Sequence, residues 1–407
     1  MISMHSPEEK ALAPRIRFSG FTDAWEQRRL RDITERVTAA CDDAKLPRVE
    51  YEDIDSGEGT LNKPIGNLGH SRAGVAFLRG DVLYGKLRPY LHNWLFPQFE
   101  GIALGDFWVL RPKAVDPSYL YRLVQSSAFD ELANISAGSK MPRADWHLVG
   151  DANFALPPNS VEQRKIGALF SCLDDLIALH QRKCDGMKTV KKSLLEKMFP
   201  REGETTPELR FAGFTDAWEQ RKLGDCGTTY SGLSGKSKED FGHGDARFVP
   251  YTNVFDNPVT DPLRLEPIEI DSKQSEVRCG DALFTVSSET PQEVGMSSVW
   301  LSDQHNVYLN SFCFGYRQDG SFDNLYLAYM LRARVFRKQI EMLAQGISRF
   351  NISKRKVMEL AVPVPGAAEQ RAIGAFFSSV DELITLHQRK LNVLKNVKKS
   401  LLEGMFV

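Results

Sequence analysis

The sequence lacks the features of a membrane or exported protein. None of its apolar runs reaches the ~18 uncharged residues that a membrane-spanning helix needs. Residues 1–14 hold Glu8, Glu9 and Lys10 where a secretory signal requires an apolar stretch. We therefore expect a cytoplasmic protein that neither enters a membrane nor is exported.

Cysteine is scarce and badly spaced for structural chemistry. The six cysteines include no Cys-x-x-Cys pair, and no histidine stands at ligand spacing from any of them. Thiols in a reducing compartment explain them better than disulfides or a zinc site. We expect no metal site in this chain.

Net charge is nearly absent, because 52 Lys and Arg residues balance 53 Asp and Glu residues to a formal charge of -1. A protein that coats nucleic acid without discrimination would be basic overall. Any nucleic-acid site must therefore be a local patch. The 42% hydrophobic and 26% charged residues are typical of a folded chain, and 407 residues allow about two to four domains.

Catalytic and nucleotide-binding motifs are missing as well. The sequence contains no Gly-x-Gly-x-x-Gly, His-Glu-x-x-His or Gly-x-Ser-x-Gly. Gly235-Lys236-Ser237 resembles the end of a phosphate-binding loop, but Tyr230 replaces a glycine that such a loop requires. We therefore expect no autonomous catalysis, and we assign no cofactor to this chain.

The most informative feature that is present is an internal duplication. Residues 18–32 and 211–225 are identical at twelve of fifteen positions, and residues 162–198 and 369–405 at 25 of 37. The long inserts between these segments share no alignable run beyond a few residues. One scaffold is thus used twice and carries two different inserts.

Both inserts show the same order of local signals: a Gly-Asp turn entering a strand, one helix, and a proline-rich exit. In the first insert these are Gly80-Asp81, residues 119–135 and Leu156-Pro157-Pro158. In the second they are Gly280-Asp281, residues 325–344 and Val362-Pro363-Val364-Pro365. Proline marks each exit because it resists continuing a helix or a strand.

The longer repeat predicts a helix of ~55 Å in each half, at ~1.5 Å per residue. Apolar residues recur every seven positions with companions three or four later, which favours packing against another helix. The predicted stripe comprises Ile166, Leu169, Phe170, Leu173, Leu176, Ile177, Met187, Val190, Leu194 and Met198, then Ile373, Phe376, Val380, Leu383, Leu394, Val397 and Leu401. We predict that the two copies pack on each other, antiparallel; the alternative is that each helix lies on its own insert.

His180 and His387 occupy equivalent positions on this stripe. One interpretation is a metal site or pH switch, and the other is a polar residue that sets helix register and stays partly open to water. The second is favoured, because no carboxylate or thiol lies one helical turn away in both copies.

Basic residues are concentrated in short segments of the inserts. Residues 332–356 hold eight Lys or Arg and one acid, a net of +7, which suits phosphate groups. Candidate DNA contacts in the second insert are Ser287, Ser288, Ser348, Arg349, Asn351, Lys354 and Arg355. In the first insert they are Tyr84, Lys86, Arg88, Tyr90, Ser139, Lys140 and Arg143. For each single residue, a solvated turn is an equally good interpretation.

The segments at Phe18 and Phe211, and the Glu-Gln-Arg-x-Ile-Gly helices at Glu162 and Glu369, closely resemble the specificity subunits of bacterial type I restriction–modification systems. The resemblance covers nearly the whole chain in order. It implies two α/β target-recognition domains joined by two long antiparallel helices in a coiled coil, with a pseudo-twofold internal repeat. The expected boundaries are 1–155 and 201–362 for the two domains, and 156–200 and 363–407 for the spacer helices.

The resemblance also implies a function. Each domain would read one half of a bipartite double-stranded DNA target, and the chain would hold two modification subunits and two restriction subunits. S-adenosylmethionine, and ATP with Mg for restriction, are expected in those partners, and this chain would be non-catalytic. Two alternatives stay open: a stand-alone two-headed DNA-binding adaptor, and a nuclease with an unrecognised site.

Overall fold

The computed structural model describes residues 2–4, 13–65, 72–135 and 141–406. The chain is a mixed α/β protein that divides into two compact units. Unit 1 is Met1–Gln181 with Arg389–Val407, and unit 2 is Arg182–Gln388. Because each long helix crosses a boundary at 181/182 or 388/389, both helices contribute residues to both units.

Unit 1 holds two four-stranded sheets. Its strands are β1 (Ile2–Met4), β2 (Ile16–Phe18), β3 (Glu26–Arg29), β4 (Thr34–Val37), β5 (Ala40–Cys41), β6 (Arg48–Val49), β7 (Ile54–Asp55), β8 (Thr60–Leu61), β9 (Gly74–Phe77), β10 (Val82–Gly85), β11 (Trp94–Leu95), β12 (Gly101–Ala103), β13 (Phe107–Pro112) and β14 (Asn153–Leu156). Its helices are α1 (Leu30–Ile33), α2 (Pro117–Leu123), α3 (Ser127–Ala133), α4 (Trp146–Asp151) and the first part of α5 (Ser160–Lys197), with 3-10 turns at Tyr51–Asp53 and Pro89–Leu91.

The main sheet of unit 1 is antiparallel, in the order β11-β10-β13-β4, with Val82 opposite Leu110. The second sheet runs β5-β9-β12-β6, and its β12–β6 pair is parallel. The pairs β1–β2, β7–β8 and β14–β3 are separate ladders. Trp25, Phe129 and Phe170 are buried in the larger core cluster, which lies between the main sheet and the helices.

Unit 2 has its own strands and helices. The strands are β15 (Glu219–Lys222), β16 (Gly227–Ser231), β17 (Phe241–Val249), β18 (Glu266–Ile268), β19 (Ala282–Thr285), β20 (Ser287–Ser288), β21 (Ser297–Val299), β22 (Val307–Leu309), β23 (Cys313–Gln318), β24 (Phe350–Asn351) and β25 (Ala361–Val364). The helices are α6 (Tyr251–Asp256), α7 (Asn324–Met330), α8 (Arg334–Leu343), α9 (Lys354–Met358) and α10 (Ala367–Met405), with 3-10 turns at Leu223–Asp225 and Lys238–Asp240.

The main sheet of unit 2 repeats that of unit 1 although the inserts share no alignable sequence, whereas the second sheets differ, with four strands in unit 1 and three in unit 2. The main antiparallel sheet of unit 2 runs β16-β23-β19-β21, and its second sheet runs β18-β17-β22 with a parallel β17–β22 pair. Both predicted Gly-Asp turns are confirmed: Asp81 precedes β10, and Asp281 precedes β19. Each aspartate binds an arginine of the adjacent central strand through both carboxylate oxygens, Asp81 with Arg111 and Asp281 with Arg317.

The single helix predicted in each insert is wrong in its extent, because two short helices stand in its place. In unit 1, α2 ends at Leu123 and α3 begins at Ser127. Ser126 separates them, since its hydroxyl donates to the carbonyl of Leu123 and accepts from the amide of Phe129. In unit 2 the break falls between α7 and α8, at extended Ala333.

The proline-rich exit of the second insert also differs from the prediction. Pro363 lies inside β25, opposite Gln220 of β15. This two-stranded ladder tolerates a proline because a ladder hydrogen bond is needed on one side of the strand alone. The helix α10 begins at Ala367, two residues after Pro365.

The two long helices predicted by the 37-residue repeat are confirmed, as α5 and α10. In unit 1, segments of both helices contact each other. Phe170 of α5 has its ring centroid 6.3 Å from that of Phe406, which directly follows α10, and Lys398 Nζ lies 2.7 Å from Asp174 Oδ1. The residue numbers rise along α5 while those of the partners fall along α10.

Unit 2 contains the other ends of the same helices, and their contacts follow the same order. Cys184 Sγ lies 3.6 Å from the carbonyl oxygen of Ile384, and Lys191 Nζ lies 2.7 Å from Asp381 Oδ2. Lys191–Asp381 and Lys398–Asp174 are equivalent positions of the repeat, offset by 207. Each unit therefore contains one copy of the same lysine–aspartate pair, with the two partners on different helices.

A third residue joins each pair to the insert. Asp174 also accepts from Arg122 Nη2 at 2.7 Å, and Asp381 accepts from Tyr329 OH at 2.9 Å. Arg122 and Tyr329 are each the second-last residue of the first short helix of their insert. The inserts are thus bound to the helices at equivalent points by different side chains.

The predicted apolar stripe is correct in part. Ile166, Phe170, Leu173 and Ile177 are buried in unit 1, and Ile373 is buried in unit 2. Four members of the predicted stripe are instead more than a third exposed, namely Leu176, Val190, Leu383 and Val397. Cys184 and Leu391, which were not in the stripe, are buried. The buried face of α5 follows spacings of four and three residues from Ile166. The four exposed members of the predicted stripe therefore lie outside the buried face of their helix. His180 and His387 are half-buried.

The repeated segment of unit 1 is joined to the start of α5 by a buried ion pair. Arg17 Nε lies 2.7 Å from Glu162 Oε1 and Arg17 Nη2 lies 2.9 Å from Glu162 Oε2, with the side chains 3% and 1% exposed. Arg17 Nη2 also donates to the carbonyl oxygen of Asp23, beyond a turn at Gly20 whose φ is 92°. This two-point, charge-assisted contact fixes the direction in which the chain enters the unit.

Unit 2 contains the same arrangement. Arg210 binds both carboxylate oxygens of Glu369, at 2.7 and 2.8 Å, and donates to the carbonyl oxygen of Asp216. Trp218 Nε1 donates to Glu369 Oε2 at 3.1 Å. The glutamate of each Glu-Gln-Arg-x-Ile-Gly motif is therefore a structural anchor.

The glutamine and glycine of that motif bind the helix to the insert. Gln163 Oε1 accepts from the amide of Asp116, and Gln370 Oε1 accepts from the amide of Asp323. A Cβ on Gly167 would lie 1.8 Å from Ser118 Oγ, so a larger residue cannot occupy this position without movement. These contacts explain why the motif recurs in both halves.

The buried pair leads to a stability prediction. Glu162→Ala should lower the free energy of unfolding by about 3–5 kcal/mol, because it leaves the Arg17 guanidinium buried without its carboxylate. Urea unfolding of the full chain, followed by tryptophan fluorescence, measures this change. Asp32→Ala is the control, since it removes an exposed partner of Arg29 and should cost below ~1 kcal/mol. Equal costs for the two variants would contradict the anchoring role.

Candidate nucleic-acid interface

Two loops of unit 1 that the sequence suggested separately lie side by side. The amide of Ala144 donates to the carbonyl of Lys86 at 2.8 Å, and the amide of Arg88 donates to the carbonyl of Pro142 at 2.7 Å. Leu87 and Arg143 form an antiparallel bridge. We call residues 86–91 with residues 141–144, together with Asp106, which contacts both loops, the first surface.

Four of the predicted residues belong to the first surface. Arg88 and Tyr90 are exposed, and they flank Pro89 in a 3-10 turn. Lys86 and Arg143 approach the same carboxylate, that of Asp106. The first surface thus presents three cations and one phenol, with an acidic residue among them.

Tyr84 does not belong to this surface, contrary to the prediction. Its side chain is buried in the main core, stacked on Trp108 at 5.6 Å and edge-on to Phe129 at 5.0 Å. It lies on the β10 face that packs against the helices, and burial raises the pKa of its phenol. Ser139 and Lys140 lie outside the described residues.

The equivalent loops of unit 2 form a small ladder. Ser287 pairs with Asn351 and Ser288 with Phe350, and the amide of Ile352 donates to the carbonyl of Val286 at 3.0 Å. We call residues 286–288 with residues 345–355 the second surface.

The predicted residues of the second surface differ in exposure. Ser348, Arg349 and Asn351 are exposed, whereas Ser288 is buried and its hydroxyl donates to Glu293. Ser288 is therefore not available to a ligand without movement, and Ser287 is half-buried.

The segment 345–355 of the second surface has a tight turn at its beginning and two exposed cations at its end. Lys354 and Arg355 begin α9, and Lys354 Nζ donates to Ser231 Oγ at 3.0 Å. Gly346 has a φ of 142°, and a Cβ there would meet the carbonyl oxygen of Arg349 at 2.0 Å, so this turn requires glycine.

Two arginines of the predicted electropositive segment face inward. Arg332 donates to the carbonyl oxygens of Ser297, Val254, Phe255 and Asn257 at 2.7 to 2.9 Å, and burial lowers its pKa to about 9. Arg337 binds the carbonyls of Gln292, Val294 and Gly295, and burial lowers its pKa to about 10. The net charge of +7 therefore overstates what the surface presents.

The two surfaces are structurally equivalent and chemically different. The amide of Lys86 donates to the carbonyl of Asp106 at 2.8 Å, and the amide of Val286 donates to that of Phe312 at 2.9 Å. Asp106 and Phe312 each stand immediately before a central strand, and sequence reasoning missed both. Comparing the residues before β13 and β23 would have pointed to them, had the alignment of the inserts been known.

Among the described residues, no group of three or more His, Cys, Asp or Glu side chains could hold a metal ion. Within the same part of the chain, no helix is long and apolar enough to cross a membrane. The exposed predicted residues of the two surfaces are hydrogen-bond donors and cations on loops.

Comparisons with known proteins show which chains this one is similar to. Residues 215–396 match the family model described as type I restriction modification DNA specificity domain. The chain is 22% identical over 301 residues to the MjaVIII specificity subunit of a type I restriction enzyme from Methanocaldococcus jannaschii, covering 71% of this chain and 69% of that protein. It is 21% identical over 413 residues to the putative MjaX specificity subunit of the same organism, covering 93% and 92%.

A solved structure shares the fold. A chain from a study of complex assembly and conformational transition of the type I R-M system gives a TM-score of 0.57 at 20% identity, covering 95% of this chain and 98% of that one. Residues 215–396 are thus similar to the DNA specificity domain of type I restriction–modification systems. The resemblance of the chain to the specificity subunits of type I restriction enzymes is confirmed.

The inward-facing arginine leads to a second prediction. Arg332→Ala should destabilise unit 2 by about 3–5 kcal/mol, because the four carbonyls that it binds lose their donor. Arg349→Ala, on the exposed loop, should change stability by less than ~0.5 kcal/mol. Thermal unfolding followed by circular dichroism compares the two. An unchanged midpoint for Arg332→Ala would show that its contacts are not structural.

Proposed function

We propose that this chain is the DNA sequence-recognition subunit of a type I restriction–modification enzyme and binds a bipartite double-stranded target. The observation that carries the proposal is the pair of equivalent loop surfaces, built on one strand plan and bearing different side chains. Equivalent backbones would present each surface to DNA in a similar way, and different side chains would select different bases.

The chemistry of the first surface supports contact with DNA. Arg88 is exposed in a turn, and Tyr90 next to the turn's proline is more than half exposed. Arginine can bind phosphate or the O6 and N7 edge of guanine, and an exposed tyrosine can donate to either. Lys86 and Arg143 place two further cations beside Arg88 and Tyr90.

The second surface supports a different sequence preference. Asn351 is exposed beside Arg349, and an amide side chain suits the N6 and N7 edge of adenine. Lys354 and Arg355 are suited to phosphate contacts that orient the loop. A target with two unlike halves follows from two unlike surfaces.

We further propose that α5 and α10 form an antiparallel coiled coil that sets the distance between the two recognition domains. The lysine–aspartate pairs and the apolar contacts found within each unit support this arrangement. The gap between the half-sites would then depend on the length of the helices.

The exposed apolar residues of the repeat support a scaffolding role. Leu179 and Leu386 occupy equivalent positions of α5 and α10, and so do Leu176 and Leu383; all four are more than a third exposed. A duplicated apolar surface suits two copies of one partner. We assign these positions to two modification subunits, with restriction subunits joining the assembly in a bacterial cytoplasm.

In this proposal the chain is non-catalytic. S-adenosylmethionine would bind to the modification subunits, and ATP with Mg to the restriction subunits. Loops, cations and amides suited to reading DNA support a binding role. A stand-alone adaptor and a nuclease are the competing functions.

The test is to express the chain with a candidate type I modification methyltransferase, purify the complex, and map methylated adenines across a genome. We expect copurification and methylation of one two-part sequence. Arg88→Ala should relax one half of that sequence and Arg349→Ala the other, each by about 1–3 kcal/mol of discrimination.

Each competing function has its own outcome in this experiment. Tight specific binding without any methyltransferase would indicate the adaptor, and DNA cleavage by the chain alone would indicate the nuclease. Loss of the same half-site in both variants would contradict two independent recognition domains.

The spacer proposal makes a separate prediction. Removal of seven residues from each long helix, in register, should shorten the preferred gap between half-sites while the half-sites stay the same. Two turns of helix are lost, which is ~10 Å, or about three base pairs. Methylation mapping reads the gap directly. A deletion of seven residues in one helix alone is the control. It should abolish assembly, because the two helices then differ in length by one heptad and both lysine–aspartate pairs cannot form at once. An unchanged gap after the double deletion would exclude the spacer role.

A further inference from the structure

Asp106 is an acidic residue in the middle of a surface proposed to bind DNA. Its Oδ1 lies 3.4 Å from Lys86 Nζ, and its Oδ2 lies 2.8 Å from Arg143 Nη2. Its side chain is 26% exposed, so water and ligands can reach it. A carboxylate repels phosphate, and its presence here therefore needs an explanation other than affinity for DNA.

The fold does not require a carboxylate at this position. The backbone carbonyl of Asp106 accepts hydrogen bonds from the amide of Lys86 and from the hydroxyl of Tyr51, and neither bond involves the carboxylate. In unit 2 the equivalent of the first bond joins the amide of Val286 to the carbonyl of Phe312, whose side chain is 61% exposed. Since an apolar ring takes the equivalent place, the side chain is free to serve recognition.

The carboxylate connects the two loops of the first surface. Lys86 belongs to the loop after β10, and Arg143 belongs to the loop before α4. Binding to one carboxylate restricts both long side chains before any ligand arrives, which reduces the entropy lost on recognition. A phosphate that binds both cations must displace the carboxylate of Asp106. A base edge can instead accept from the guanidinium of Arg143 while that group stays bound to Asp106.

We propose that Asp106 is a positioning residue for sequence discrimination by the first surface. It holds Arg143 and Lys86 in the orientation that reads a base edge, and it opposes their use as unspecific phosphate contacts. This inference rests on the proposed function, in which the first surface reads one half of the DNA target.

The experiment uses the complex of the full chain with its methyltransferase. Dissociation constants are measured for the target duplex and for a duplex with the half-site of unit 1 scrambled, over a range of salt concentrations. For Asp106→Asn we expect binding to the scrambled duplex to tighten about 5- to 10-fold at low salt. The slope of log K against log salt should steepen by about one, because a freed cation binds an additional phosphate.

The decisive quantity is the ratio of the two dissociation constants. We expect Asp106→Asn to lower it about tenfold for the half-site of unit 1 and to leave it unchanged for the half-site of unit 2. Asp106→Glu should restore much of the ratio, because the charge returns. Asp32→Asn, which removes another exposed carboxylate paired with an arginine, is the matched control and should leave both ratios unchanged.

The outcomes separate this inference from the proposed function. If the wild-type complex does not distinguish the target from the scrambled duplex, the proposed function fails. If the wild type discriminates and Asp106→Asn keeps the same ratio within twofold, the positioning role is overturned. Should Asp106→Asn unfold on heating well before the wild type, Asp106→Ser is measured in the same way and must show the same loss of ratio.

Discussion

The rest of the structure depends on a buried arginine–glutamate pair that occurs once in each unit. Arg17 with Glu162, and Arg210 with Glu369, join the short repeated segment to the beginning of a long helix. An unpaired charge in this position would be costly, so the two segments have to remain together. The glutamine that follows each glutamate binds the insert to the same helical turn. Chain entry, helix and insert are therefore all fixed within a few residues.

This firm attachment leaves the distal loops free to vary. The surfaces at residues 86–91 and 286–288 follow equivalent strands of the main sheets, and each is braced by a neighbouring loop through backbone hydrogen bonds. Backbone bonds do not depend on side-chain identity, so the side chains there can change without loss of the fold. Binding loops placed on a rigid scaffold are the usual place for recognition.

The sequence predicted the parts of the fold that depend on repetition and periodicity. The duplication identified both long helices, because their apolar spacing persists over many turns. It did not identify the break at Ser126, where one hydroxyl caps a new helix. The inward orientation of Arg332 was also missed, since its partners are carbonyl groups from distant segments. Tyr84 was misassigned because alternation along a strand does not tell which face is buried when both faces are covered.

The crossed lysine–aspartate pairs have an evolutionary consequence. Lys191 and Asp174 belong to one copy of the repeat, but their partners Asp381 and Lys398 belong to the other. A charge reversal in either copy would disturb a junction that the sister copy helps to build. A substitution at one of these positions in either copy is therefore tolerated only with a compensating substitution in the other copy. The inserts form no such shared ion pairs. This difference explains why the two long helices remain similar in sequence while the two inserts do not.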